Sequence, residues 1–110
     1  METKFAKISD RTGLEDVIAK SKTSPVIVFK HSLSCPLSAA AYHEMEQMKY
    51  DIRLVEVQTA KDISKQIADM TGIRHESPQV IIIRNGKAVW NASHYDVQAH
   101  VIEQAIQHHT

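Results

Sequence analysis

The sequence predicts an α/β domain built on a central mixed four-stranded sheet flanked by helices. Three observations lead there. Val26-Ile27-Val28-Phe29 and Val80-Ile81-Ile82-Ile83 are short, wholly apolar and mainly β-branched, as in strands buried on both faces. Asn85-Gly86 follows the second run, a strong hairpin signal because both central residues of the tight turn need positive φ. Between and beyond these runs, apolar residues recur at three- and four-residue spacing, as on one face of a helix. The order that results is α-β-α-β-α-β-β-α, and an antiparallel hairpin added to a strand-helix-strand unit makes the sheet mixed.

Each element has its own warrant. Thr12-Gly13-Leu14-Glu15 fits a capping box, and Leu14, Val17 and Ile18 then mark a short amphipathic helix. Residues 21–25 break it before the first buried strand. Pro36 opens a helix running to about Lys49, with Leu37, Ala41, Met45 and Met48 on one face. Ile52, Leu54, Val55 and Val57 suggest the next strand. Ile63, Ile67 and Met70 carry a helical stripe that Gly72 can end in a left-handed cap. Residues 80–84 and 87–91 flank the Asn85-Gly86 turn, and Val97, Val101, Ile102, Ala105 and Ile106 form a closing amphipathic helix, with His108 and His109 as a loose tail.

Nothing in the 110 residues divides the chain, so one domain over 1–110 is expected, large enough to bury a core without disulfides. Thirteen basic residues balance thirteen acidic ones, which removes the global charge expected of a nucleic-acid or polybasic membrane partner. Its apolar runs fall far short of the roughly 20 residues that cross a bilayer. The stretch Met1-Glu2-Thr3-Lys4-Phe5 lacks the apolar segment of a signal peptide, so the expected compartment is the cytoplasm. A single cysteine can make neither an internal disulfide nor a Cys-based zinc cage. Seven scattered histidines show neither HExxH nor finger spacing, so no metal site is expected. Met45, Met48 and Met70 read as core, and Trp90 as a packing residue on a hairpin strand.

Cys35 is the chemically distinctive residue. It lies just before Pro36, and proline is favoured at the first helical position, which puts Cys35 at or near the N-cap. Free backbone amides and the positive helix end would converge on its sulfur and favour the thiolate. Thiols so placed have pKa values of roughly 3.5–7.5 against about 8.5 for a free thiol, and only the thiolate attacks a disulfide. The competing reading is a small buried hydrophobe at a helix start; the polar neighbours Ser32, Ser34 and Ser38 favour the reactive one. Cys35-Pro36-Leu37-Ser38 has the spacing of a redox Cys-x-x-Cys pair with serine in place of the second thiol, so resolution of a mixed disulfide needs an external thiol. Ser77-Pro78 precedes the second apolar run. Since only about 5–6% of X–Pro bonds in folded proteins are cis, the residues by themselves favour a trans proline opening a strand.

Taken together, Lys30-His31-Ser32, Ser34-Cys35-Pro36-Leu37-Ser38, Ser77-Pro78-Gln79 and residues 90–94 resemble the YtxJ-type monothiol bacilliredoxins of the thioredoxin-like superfamily, over nearly the whole chain. The resemblance implies a thioredoxin-like fold and a cofactor-free thiol–disulfide oxidoreductase. Cys35 would attack the mixed disulfide of an S-bacillithiolated client protein and carry bacillithiol, the co-substrate thiol, itself. A second bacillithiol would regenerate it, and an NADPH-dependent flavin reductase would act on the bacillithiol disulfide released. The resemblance also implies a cis Pro78 beside the sulfur, with the Ser77 backbone holding substrate.

Lys30 and His31 are expected to leave the strand near Cys35, where positive charge would favour the thiolate and attract the carboxylates of bacillithiol; a solvated turn is the rival reading. Arg74 and His75 approach the site if Pro78 does. Ser38 would hydrogen-bond the sulfur or cap the helix. Two other functional readings stay open: a sensor or protein-binding module whose Cys35 is modified without turnover, and a general mixed-disulfide reductase that accepts glutathione equally.

Overall fold

The computed structural model describes residues 5–110. The expectation about an N-terminal leader falls on residues 1–4 and lies outside the described residues. The elements are β1 (Phe5–Lys7), α1 (Arg11–Lys20), β2 (Val26–His31), α2 (Pro36–Glu46), β3 (Ile52–Glu56), α3 (Lys61–Thr71), β4 (Gln79–Arg84), β5 (Lys87–Ser93), a 3-10 turn (His94–Asp96) and α4 (Ala99–His108). They form one mixed five-stranded sheet in the order β1-β3-β2-β4-β5. β1 and β2 run parallel to β3, whereas β4 is antiparallel to both β2 and β5.

The sheet has one strand more than the four expected. β1 is three residues long, with Phe5 half-buried and Ala6 and Lys7 exposed, so it carries no apolar run. Its partner strand supplies the ladder, and Ile8 N–H extends it to Leu54 O at 2.8 Å. The cap of α1 also differs. Asp10, not Thr12, is the N-cap, and its side chain accepts from Gly13 N–H at 2.9 Å. The Thr-x-x-Glu pattern lies inside the helix; the helix begins earlier because an aspartate was available two residues upstream. α2 stops at Glu46, three residues short of the expected end, yet Met48 is still buried. His108 closes α4, and His109 is its C-cap rather than part of a loose tail.

Alternation along the central strands divides the core into two layers. Ile27, Phe29, Val80 and Ile82 meet Ala41, Met45, Ile102 and Ile106 of α2 and α4. Val26, Val28, Ile81 and Ile83 meet Leu14, Val17, Ile63 and Ile67 of α1 and α3. Every residue of β2 is buried, as a strand covered on both faces requires. Asn85 (φ 56°) and Gly86 (φ 74°) make the expected turn, and Gly72 (φ 72°) ends α3 in the left-handed cap. Ser21, at the end of α1, holds the hairpin. Its hydroxyl accepts from Gly86 N–H at 2.9 Å, and its carbonyl accepts from Asn85 N–H and Arg84 Nη1.

Candidate active site

The chain reverses from β2 into α2 through residues 32–35. Cys35 is the N-cap of α2, extended at φ −102° and ψ 120°, with Pro36 in the first turn and Ala39 N–H donating to the Cys35 carbonyl at 3.1 Å. Cys35 is partly exposed, and its thiol is free of any disulfide. It makes no capping hydrogen bond, contrary to the expectation that first-turn amides converge on it. Pro36 has no N–H to give, and thiol sulfur is a weak acceptor. What the position retains is its place at the N-terminus of α2, directly before the first turn.

Gln58, just beyond β3, shapes the approach to Cys35. Its Nε2 donates to Ser32 Oγ at 2.8 Å and Ser34 Oγ at 3.2 Å, while Leu33 N–H donates to its Oε1 at 3.0 Å. Ser38 is fully buried, and its hydroxyl oxygen accepts from Ser32 N–H at 3.2 Å. It therefore ties the incoming loop to the first turn of α2. Leu33, clamped in the middle of the loop, is 58% exposed beside the cysteine.

Lys30 and His31 are not where they were expected. Both lie inside β2 and are buried, so neither reading of them as turn residues survives. Lys30 cannot bind substrate directly. Alternation sends it to the α3 face with Val26 and Val28, where Nζ donates to Ser64 O at 3.1 Å and stands 3.3 Å from His75 Nδ1. Burial pulls its pKa down to about 8. His31 points to the opposite face, its ring centroid 5.5 Å from that of Phe29 and 5.0 Å from that of Tyr42. Burial lowers its pKa against the opposing pull of Glu56 and a Ser38 backbone contact, so it is a neutral packing ring near pH 7. It brings no positive charge to the cysteine.

Ser77-Pro78 is cis. Pro78 is buried and its carbonyl accepts from His94 N–H at 2.9 Å. The register pairs Lys30 with Gln79, so Pro78 sits at the end of the sheet where β2 hands over to the cysteine loop. The fold thus gathers Cys35, Pro36, Ser38, Ser77 and Pro78 at one sheet end and withdraws Lys30 and His31 beneath it. His94 holds a left-handed conformation (φ 56°) uncommon outside glycine, immediately after β5. It lines a shallow groove of about 510 Å³ with Leu37, Ala40 and Tyr95. A second groove of about 430 Å³, lined by His31, Ser32, Leu33 and Tyr42, flanks the other side of the turn.

Gln58 escaped the sequence reading, while Gln79 and His94 entered it only within the stretches that carry the resemblance, with no role of their own. Gln58 has no local signal, since its partners are 24 to 26 residues away. Gln79 was detectable as an amide placed directly before four apolar strand residues.

Comparison with known proteins places this geometry. Residues 6–102 match the family model described as monothiol bacilliredoxin BrxC. A solved structure described as a candidate oxidoreductase with a thioredoxin fold is 36% identical, covers 92% of each chain and superposes with a TM-score of 0.84. Fasciola hepatica thioredoxin is 16% identical over 94% of this chain and 98% of its own, with a TM-score of 0.74. Schistosoma mansoni thioredoxin pre-protein is 15% identical over 98% and 100%, with a TM-score of 0.72. At those identities the thioredoxins speak to the fold, which is the thioredoxin fold.

Proposed function

This chain belongs to the monothiol bacilliredoxin family of thiol oxidoreductases, and from that premise we propose that it removes bacillithiol from protein cysteines through Cys35. The observation that carries the reading is a lone, partly exposed cysteine at the N-terminus of α2, in a chain with no second thiol. The Cys35 thiolate attacks the bacillithiol sulfur of the client mixed disulfide. That S–S bond breaks, the client thiolate leaves with the electron pair, and a Cys35–bacillithiol disulfide forms. A second bacillithiol thiolate attacks the same bacillithiol sulfur. Cys35 leaves as thiolate, and bacillithiol disulfide departs for reduction by an NADPH-dependent flavin reductase.

Site geometry supports each role. The helix end stabilises negative charge on Cys35 both as attacker and as leaving group. Ser38 and Gln58 hold the loop that aims it. Ser77, at the cis bond, offers its backbone to an extended substrate, and Leu33 offers apolar contact to the client. With serine at position 38, Cys35 has no neighbouring thiol to intercept the mixed disulfide, so the bound bacillithiol waits for a second molecule.

Intact-mass measurement after exposure to bacillithiol disulfide tests this. One adduct on Cys35, removed by excess thiol, is expected. Wild type should also restore a bacillithiolated client faster than free bacillithiol does, with Cys35→Ala inactive. An adduct without any acceleration would make the chain a sensor, and equal turnover of a glutathionylated client would make it a general mixed-disulfide reductase.

A further inference from the structure

Lys30, His31 and Gln79 are buried where the central strands otherwise bury hydrocarbon, and the first and last of them share a face. Lys30 and Gln79 are direct cross-strand partners in the β2–β4 ladder and therefore project to one face. They are 0% and 1% exposed. Both reach residues 72–78, the segment leading into Ser77-Pro78. Gln79 Nε2 donates to Arg74 O at 3.0 Å, and Lys30 Nζ stands 3.3 Å from His75 Nδ1, which also lies 2.9 Å from Ser64 Oγ. An ammonium only donates, so Nδ1 is the acceptor and the ring proton resides on Nε2. Ser64 Oγ–H, at 2.9 Å, then shares the one lone pair of that nitrogen with Lys30. Desolvating an ammonium and an amide inside a sheet is costly; beyond Ser64 O at 3.1 Å for Lys30 and Ser93 Oγ at 3.5 Å for Gln79, what the two share in return is contact with one loop.

Resting on the chemistry assigned to Cys35 above, we propose that Lys30 and Gln79 are positioning residues that, through His75 and Arg74, hold residues 72–78 against the sheet so that Ser77-Pro78 meets the substrate disulfide, and that a proton on His75 releases this hold. The groups facing His75 among the described residues are Lys30 from β2, Ser64 from α3 and Glu76 from its own segment. A protonated His75 sets two cations 3.3 Å apart and removes the acceptor that Lys30 and the Ser64 hydroxyl have on this segment, leaving Nζ with Ser64 O alone. Desolvation of the ring, then Lys30, keep His75 below the ordinary histidine range, with Glu76 opposing them. The clasp is therefore closed at neutral pH and opens on acidification.

Lys30→Met, His75→Leu and His75→Asn in the full chain test the clasp. In Lys30→Met and His75→Leu, amide exchange across 72–77 should accelerate, and KM for a bacillithiolated peptide should rise roughly tenfold with little change in kcat, the loss of about one charge-assisted hydrogen bond. Lys30→Met should nevertheless be more stable than wild type at pH 7, whereas a merely structural lysine would leave its variant less stable. His75→Asn puts a non-titrating amide oxygen near the place of Nδ1. It should restore KM and flatten the acid limb of the kcat/KM profile. Ring-nitrogen NMR of wild type should show a bare Nδ1 at neutral pH, with a titration midpoint that moves up in Lys30→Met. Unchanged loop exchange in both Lys30→Met and His75→Leu, or a proton on Nδ1, would overturn the proposal. The exchange and ring measurements need no substrate. A protein that lacks bacillithiol turnover but shows these signals refutes the reading of Cys35 and leaves the clasp standing.

Discussion

Lys30→Met gives the clearest quantitative handle on this protein. The side chain is fully buried, and its pKa falls from 10.5 to about 8. The unfolded chain therefore holds a proton that the folded chain gives up between those values, and stability rises with pH across that window. Below it, the folded state bears the cost of keeping the ammonium charged. A drop of about 2.5 units corresponds to a penalty of about 3 kcal/mol at pH 7, about 2 at pH 9 and about 1 at pH 10. Methionine has a similar length and no charge, so the variant escapes the penalty. Its advantage over wild type should thus shrink by about 2 kcal/mol between pH 7 and pH 10, whatever constant offset its packing adds. Urea unfolding at several pH values, followed by the single Trp90 packed against the core, measures both proteins alike. Titrations of groups out of reach of Lys30 cancel in the difference. A stability difference that stays flat with pH would show that Lys30 is not a penalised buried cation, and the argument for its positioning role would fall with it.

Other outcomes follow from single contacts. Gln58→Ala removes the bonds to Ser32, Leu33 and Ser34, so kcat/KM should fall about three- to tenfold while the urea midpoint hardly moves, because the side chain is exposed; kinetics and amide exchange at Leu33 check both halves. Asp10→Ala deletes the N-cap acceptor of α1 and should cost about 1 kcal/mol of unfolding free energy, with Thr12→Ala near neutral. Ser21→Ala frees the Gly86 amide at the hairpin and should cost about 1–2 kcal/mol by urea unfolding, without changing turnover at the distant cysteine end.

The fold was legible because its signals are local. The two apolar runs, the Asn85-Gly86 turn, the Gly72 stop and the helical stripes are each local, and each formed the element expected, except that Val97 precedes α4 and Val57 follows β3. β1 was missed because three residues with one half-buried side chain make no pattern; the strand exists through the edge that β3 presents. Cys35 was legible for a similar reason. Its distinction, a thiol immediately before Pro36, is a property of neighbours in sequence. Lys30 and His31 misled because charge predicts a turn, and nothing within a few residues announced the helix and the loop that close over Lys30.

By itself the amino-acid order determined the α/β architecture, the place of a cysteine at a helix start and the lack of a second thiol to pair with it. Periodicity, turn geometry and a count of thiols are complete within the sequence. Tertiary structure alone decided which polar groups serve the site. Lys30 and Gln79 acquire their role by facing each other across a ladder and meeting His75 and Arg74 of a distant segment. Gln58 acquires its role by returning to a loop more than 20 residues upstream. Such contacts depend on strand register and on which face a side chain takes, and a shift of one residue would reverse both.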